Sequence, residues 1–171
     1  RDTQHRKMSK SLGNGIDPID VISQYGADSM RVSLVLTTPE GQDPWMGPKT
    51  FELGRNFGNK FWNAARFAFM NLGDAKIESL FVKPGRSKFA SMDRWILNRL
   101  DSAVFEVTAS LEEFRYDAAC KTLYDFIWHD FCDWYLEMVK SRLRDHHETE
   151  DKQKAREVTV YVLYRCLQML F

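Results

Sequence analysis

The stretch DAACKTLYDFIWHDFCDWYLEMVKSRLR, residues 117–144, carries apolar side chains nearly all the way round a helix and contains no proline. A helix apolar on every side is stable only when other elements surround it. The flanking sequence supplies such neighbours. KTFELGRNFGNKFWNAARFAFMNL runs from 49 to 72 without proline. Phe57, Phe61, Ala64, Ala68 and Leu72 form one stripe there, and Phe51, Gly58, Trp62, Ala65 and Phe69 a second. Two apolar faces predict contact with two neighbours. Gly54 and Gly58 cost helix propensity, so they are expected where a neighbouring backbone comes close. Ser91 immediately precedes MDRWILNRLDSAVFEVTASLEEF, in which Ile96, Leu100, Ala103, Val107 and Leu111 recur at helical spacing. Asp117 begins the apolar helix, and RDHHETED after it is a polar turn. KQKAREVTVYVLYRCLQMLF is the last helix, with Ala155, Val158, Val162, Cys166 and Met169 facing inward. Long helices joined by short links predict an up-and-down bundle. GDAKIESLFVKPGRSKFA, residues 73–90, reads as a connector.

Residues 1–48 are different: rich in Gly, Pro, Ser and Thr. Asp17-Pro18 predicts a helix start, because Asp caps free N–H groups and proline fits the first turn. Ile19, Val21 and Ile22 give that helix an apolar side, and Gly26 is expected to end it in the left-handed conformation. Asp28 can cap SMRVSLVLT, read as helix although its Val, Leu and Thr also suit a strand. TTPEGQDPWMGP is a loop, with two Pro-containing turns and two Gly in twelve residues. The chain therefore divides into residues 1–48 and a helical bundle, residues 49–171.

Composition narrows the function. Lys+Arg and Asp+Glu both number 24, so net charge predicts no polyanion partner and any nucleic-acid footprint must be local. Cys120, Cys132 and Cys166 lie far apart with no C-x-x-C pair, which argues against zinc and disulfides and fits a reducing cytoplasm. No apolar run approaches the ~20 residues of a membrane span. The first residues lack an initiator Met and a signal-peptide core, and the far end stops within an apolar helical pattern, so a piece of something longer is expected.

The chemistry concentrates in RKMSKSLGNGIDP, residues 6–18. Arg6, Lys7 and Lys10 stand beside the hydroxyls of Ser9 and Ser11, with Gly13 and Gly15 letting the loop close and reopen. Lysine ammonium groups stabilise most where charge builds up on phosphoryl oxygens. There is no G-x-x-x-x-G-K-S/T, so this is not a P-loop. On residue chemistry alone, a polyphosphate clamp and a solvated basic loop both remain open.

Lys7-Met8-Ser9-Lys10-Ser11, followed by Leu12-Gly13-Asn14, resembles the KMSKS signature of class I aminoacyl-tRNA synthetases. The resemblance implies that residues 1–48 are the end of a Rossmann-type catalytic domain, and that Lys7, Met8, Ser9, Lys10 and Ser11 bind ATP. It implies catalytic roles for Lys7 and Lys10, with Lys10 stabilising the pyrophosphate leaving group during adenylation. Mg2+ is expected with the ATP, and no protein-bound metal. The family's His-x-Gly-His loop is absent, since His5, His129, His146 and His147 do not supply it, so this stretch alone is not expected to aminoacylate. Gly54, Arg55, Asn56, Phe57, Asn59, Lys60, Trp62, Asn63, Ala64, Arg66 and Phe67 are most similar to the valyl branch. DWYLE, residues 133–137, is shared with the isoleucyl and leucyl enzymes, while DPWMGP departs from the usual valyl pattern.

The resemblance further implies a mainly α fold: a short connecting fold, then a bundle, residues 49–171, that binds the anticodon arm of tRNA. Valine, ATP and a valine-specific tRNA are the implied partners of a monomeric cytoplasmic enzyme. The residues themselves are compatible. No acid lies between Glu52 and Asp74, and Arg55, Lys60, Asn63, Arg66 and Phe67 combine cations for phosphates, an amide for base edges and a ring for stacking. Phe57, Phe61 and Phe69 read as core. Isoleucyl, leucyl or methionyl specificity is the alternative within the class, and a non-catalytic helical RNA-binding or protein-interaction module the alternative outside it. Asp125, Asp130, Asp133 and Glu137 could suggest a paired-carboxylate hydrolase, but ion pairs to Lys140, Arg142 or neighbouring helices explain them better. Cys120 and Cys132 read as small core residues.

Overall fold

A computed structural model describes residues 1–39, 41, 43–73, 89–145 and 147–170. Most of the 73–90 connector, together with His146, lies outside the described residues. The regular structure of the described residues is helical, with no strand among them. Helix α1 spans Pro18–Tyr25 and α2 spans Ala27–Thr37. A 3₁₀ turn at Pro48–Phe51 leads into α3, Glu52–Met70. Helix α4 is Ser91–Glu112 and α5 is Tyr116–Asp125. A π-helical segment, Phe126–Tyr135, continues α5 into α6, Leu136–Leu143. Helix α7, Glu150–Leu170, returns along the bundle.

The apolar stretch that demanded neighbours obtains them from three sides. Helices α3, α4 and α7 all pack on the rod formed by α5, the π segment and α6. Inside the π segment the buried side chains come in pairs five residues apart, Phe126 and Ile127 and then Phe131 and Cys132. That spacing matches i→i+5 winding rather than the 3.6-residue turn. Phe131, Tyr135, Ile127 and Val139 are at most 1% exposed, and each large side chain so buried contributes about 1.5–3 kcal/mol. The rod is not buried all round, however: Trp134 is 62% exposed on its outer side.

Several expectations hold in detail. Asp17 caps α1 by accepting from the Ile19 amide at 2.8 Å. SMRVSLVLT is helical. Ala155, Val158, Val162 and Cys166 of α7 are fully buried, and Ile96, Leu100, Ala103 and Val107 of α4 are core.

Others are corrected. Gly26 has φ +88° but ψ 153°, so it turns the chain in an extended, glycine-favouring conformation rather than the left-handed one. Asp28 caps nothing, because α2 already begins at Ala27. Ser91 lies inside α4, where it accepts from Arg94 Nη2 at 3.3 Å, while Arg94 Nη1 bonds the Phe89 carbonyl at 2.8 Å. Ile19 and Ile22 are exposed, and only Val21 of that side is buried. Leu111, in the last turn of α4, is also exposed.

On α3 the first stripe is buried at Phe57, Ala64 and Ala68, with Phe61 half-buried. The second stripe holds at Phe51 and in part at Ala65, which packs against the core, and fails elsewhere. Phe51 is buried, but Trp62 is 72% and Phe69 59% exposed. Helix α2 crosses α3 at Gly54, where an added Cβ would lie 2.1 Å from the Ser29 carbonyl oxygen. No such contact exists at Gly58, which is exposed and has open space. Gly54 thus admits a backbone as expected and Gly58 does not.

Cys132 and Cys166 are core, whereas Cys120, also expected there, is only half-buried and lies outside the core cluster. Burial pushes the Cys132 thiol up to about 12, with Lys60 opposing and Asp133 assisting. Burial also pushes Cys166 well up. At pH 8, a thiol reagent should leave Cys132 and Cys166 unmodified until urea unfolds the chain, leaving half-buried Cys120 as the slow native site. Quantitative titration with DTNB, with and without urea, checks this.

Candidate nucleotide loop and nucleic-acid face

The front loop is built on one carboxylate. Asp2 is 7% exposed. It accepts from the Gln4 and Arg6 amides at 2.9 Å each, from Arg6 Nε at 2.8 Å and from Asn14 Nδ2 at 3.0 Å. Hydrogen bonding, chiefly from Asn14 and then from Arg6 and Gln4, outweighs the effect of burial and holds the Asp2 carboxyl well below the usual carboxylate range. Asn14 in turn accepts from the Ser9 amide at 2.9 Å. Ser9 starts a 3₁₀ turn, Lys10–Leu12, by accepting from the Leu12 amide at 3.3 Å, and its Oγ lies 3.2 Å from that of Ser11. Gly13 closes the turn at φ +62°, a value that favours glycine.

Lys7, Lys10 and Ser11 face solvent, while Met8 and Ser9 are half-buried. Neither lysine side chain forms an ion pair or hydrogen bond among the described residues. The loop therefore presents two cations outward while its polar backbone is satisfied from within. Asp2 and Asn14 were not singled out as functional from sequence. Asn14 follows the signature directly, but nothing in the spacing shows that a carboxylate twelve residues earlier is its partner.

Helix α3 distributes its candidates over two sides. Asn63 and Arg66 are exposed, and Arg66 makes no ion pair among the described residues. Phe67 is partly buried against the core. Lys60 pairs with Asp133 and stands 3.9 Å above the Trp128 ring, a cation–π arrangement. Trp128 stacks on Tyr124 at 5.4 Å, and Tyr124 on Phe57 at 5.2 Å. Arg55 lies 5.3 Å over the Tyr25 ring. Asn63, Arg66 and Phe67 are thus adjacent at one surface, while Arg55 and Lys60 brace α3 against α1 and the rod. Trp62, one residue from Asn63 and exposed, joins that surface; its place in an apparent apolar stripe concealed it.

Three of the rod's four candidate acids are spent on structure, while Asp125 is exposed and has no ion pair among the described residues. Asp130 pairs with Arg99 at 2.7 Å, Asp133 with Lys60 and with His129 at 3.3 Å, and Glu137 with Lys140. Arg142 bonds none of these. It binds the fully buried Asp93 at 2.8 Å and Asp151 at 2.7 Å, and Tyr135 donates to the same Asp93 oxygen at 2.9 Å. No group of three or more His, Cys, Asp or Glu suited to a metal occurs among the described residues.

Comparison with known proteins places these features. Residues 1–46 match the model for tRNA synthetases class I (I, L, M and V), and residues 93–171 match the anticodon-binding domain of tRNA ligase. Over these two stretches the chain is similar to class I tRNA synthetases. Valine–tRNA ligases are among its relatives: that of Thermotoga maritima is 45% identical over 99% of this chain, and that of Lactobacillus johnsonii 47% identical over 99%. The chain spans only 18% and 19% of their respective lengths. Solved structures share the fold. A Mycobacterium tuberculosis methionyl-tRNA synthetase bound by methionyl-adenylate aligns over 96% of this chain and 32% of its own, with TM-score 0.71 and 23% identity. A ternary complex of Agrobacterium radiobacter LeuRS with tRNA and LeuAMS aligns over 99% of this chain and 20% of its own, with TM-score 0.70 and 21% identity.

The two matched stretches leave residues 47–92 between them, and α3 falls there. The exposed Trp62, Asn63 and Arg66, with the partly buried Phe67 beside them, therefore lie outside both matched stretches. No described helix is long and apolar enough to cross a membrane.

Proposed function

We propose that this chain is part of a valine–tRNA ligase. In this reading the loop of residues 6–18 clamps ATP and the pyrophosphate it releases, and the helices hold the anticodon arm of a valine tRNA. The observation that carries the reading is identity of 45–47% to valine–tRNA ligases along 99% of the chain. Residues 1–48 then belong to the catalytic domain and residues 49–171 to the anticodon-binding bundle.

Lys7 and Lys10 are the catalytic cations. Both are exposed on a loop whose backbone is already bonded, so their charge is available to developing phosphoryl charge rather than to an internal acid. Met8, Ser9 and Ser11 line the same loop and complete the ATP contacts, with Mg2+ accompanying the nucleotide. Arg66 neutralises tRNA phosphate, Asn63 reads a base edge and Phe67 offers a ring for stacking, while Arg55 and Lys60 hold α3 in place behind them. The protein acts as a cytoplasmic monomer.

The test is binding of this chain to valine tRNA and to the same tRNA with its anticodon replaced, at two salt concentrations. The valine anticodon should be preferred, and both affinities should fall with salt. Arg66→Ala with Phe67→Ala should remove about tenfold of the preference, the size of one lost stacking and charge contact. Equal binding to both tRNAs overturns the anticodon-reading role, and preference for an isoleucine, leucine or methionine tRNA overturns the valyl assignment.

A further inference from the structure

The root and the tip of the lysine loop are held by different contacts. The root is tied to the loop of residues 43–47: Arg1 pairs with Asp43 at 3.0 Å, the Met46 amide donates to the Arg1 carbonyl at 2.8 Å, and the His5 ring lies 4.1 Å from Trp45. The tip, Lys7 to Gly13, touches that root through Asn14 alone among the side chains with described bonds. Asn14 donates to the Lys7 carbonyl at 3.3 Å, accepts from Ser9 and donates to Asp2. Asp2 is therefore the fixed point on which both ends of the tip converge, and it reaches neither lysine side chain.

We propose that Asp2 is a positioning residue whose bridge to Asn14 latches the lysine loop in one conformer, presenting Lys7 and Lys10 to a polyphosphate in a pre-ordered arrangement. What the lysines receive rests on the nucleotide reading above; the latch itself does not. Ordering a loop of this length before the ligand arrives removes an entropic cost from binding. A charge-assisted bond is suited to the task, being roughly twice as strong as a neutral one.

The experiment is limited trypsin cleavage after Arg6, Lys7 and Lys10 in the 171-residue chain, with and without inorganic pyrophosphate, alongside a helix melt by circular dichroism. Asp2→Asn and Asn14→Ala should each raise the cleavage rate about tenfold, the loss of one charge-assisted bond, with the melt unchanged. The exchange variant Asp2→Asn with Asn14→Asp returns a carboxylate–amide bridge and should bring cleavage back towards the parent rate. A merely structural role for either residue gives no such rescue. Pyrophosphate should slow cleavage of the parent and protect the single variants less. If Asp2→Asn unfolds the chain, Asn14→Ala carries the test, because among the described residues Asn14 bonds only Asp2, the Ser9 amide and the Lys7 carbonyl and no helix of the bundle. Unchanged cleavage in the folded single variants, or an exchange variant cut as fast as they are, overturns the latch. Faster cleavage in the single variants with no pyrophosphate effect on the parent keeps the latch and overturns the nucleotide reading.

Discussion

Arg142→Ala is expected to lower the stability of the chain by about 3–5 kcal/mol, the cost of removing one partner from a buried ion pair. The Arg142 side chain is 11% exposed and Asp93 is fully buried. Arg142 bonds Asp93 and grips Asp151 with Nε and Nη2, so one guanidinium joins α4, α6 and α7. Without it, Asp93 keeps a buried charge with only the Tyr135 hydroxyl on Oδ1, while Oδ2 already has no partner. Adding Asp93→Asn to Arg142→Ala should therefore return about 1–2 kcal/mol, because the uncompensated charge is gone. Urea denaturation followed by circular dichroism measures both, and a loss below ~1 kcal/mol for the single variant would sink the account.

The bracket also has a pH signature with two edges. The hydrogen bond from Arg142 holds the Asp151 carboxyl below its ordinary value despite some burial. A depressed folded-state pKa contributes stability that is fully present above ~pH 4 and is lost as pH falls through the folded value. Burial, followed by the Asp93 charge, pushes the Tyr135 phenol well up. A raised folded-state pKa contributes stability that is present below ~pH 10 and is lost as pH rises towards the folded value. Urea midpoints across this range should form a plateau between those edges, and Arg142→Ala should flatten the acid edge.

Gly54→Ala should cost about 3 kcal/mol, the upper end for an overpacked contact. The added methyl would meet the Ser29 carbonyl oxygen at 2.1 Å and Ser33 Oγ at 2.7 Å. The first of these is backbone and cannot rotate aside. Ser33 is fully buried and receives the Gly54 amide at 2.9 Å, so separating the helices also strands a polar pair. Gly58→Ala is the control: its Cβ meets nothing within 4 Å, and alanine gains up to ~1 kcal/mol of helix propensity. Thermal melts should move in opposite directions for the two variants. Amide exchange should show α2, which links the front segment to the bundle, loosening in Gly54→Ala alone.

The two glycines show where one-dimensional reading stops. Both interrupt the same helical pattern four residues apart, and spacing treats them alike. Only the crossing of α2 distinguishes them, because close approach is a property of two helices. The same limit produced the misread stripe on α3. Trp62 and Phe69 have the period of a core face, but period reports which residues share a side and not whether a neighbour arrives to cover it. Lys60 and Arg66 are both cations on a helix with no acid after Glu52, yet Asp133, brought from 73 residues away, engages Lys60 and leaves Arg66 outward.

What the sequence determined by itself was a part of what is local or periodic: the cap at Asp17, Ile96, Leu100, Ala103 and Val107 of α4, Ala155, Val158, Val162 and Cys166 of α7, the need to surround residues 117–144, and the lysine loop with its family resemblance. These follow from side-chain spacing of a few residues and from the chemistry of adjacent groups. Tertiary structure alone decided the polar partners. Asp93 with Tyr135 and Arg142, Asp130 with Arg99, and Asp2 behind Asn14 are pairings of groups remote from one another or on opposite sides of a turn. Charge has no period along a chain, so a carboxylate's partner is set by which elements pack beside it, and hydrophobic burial makes that choice first.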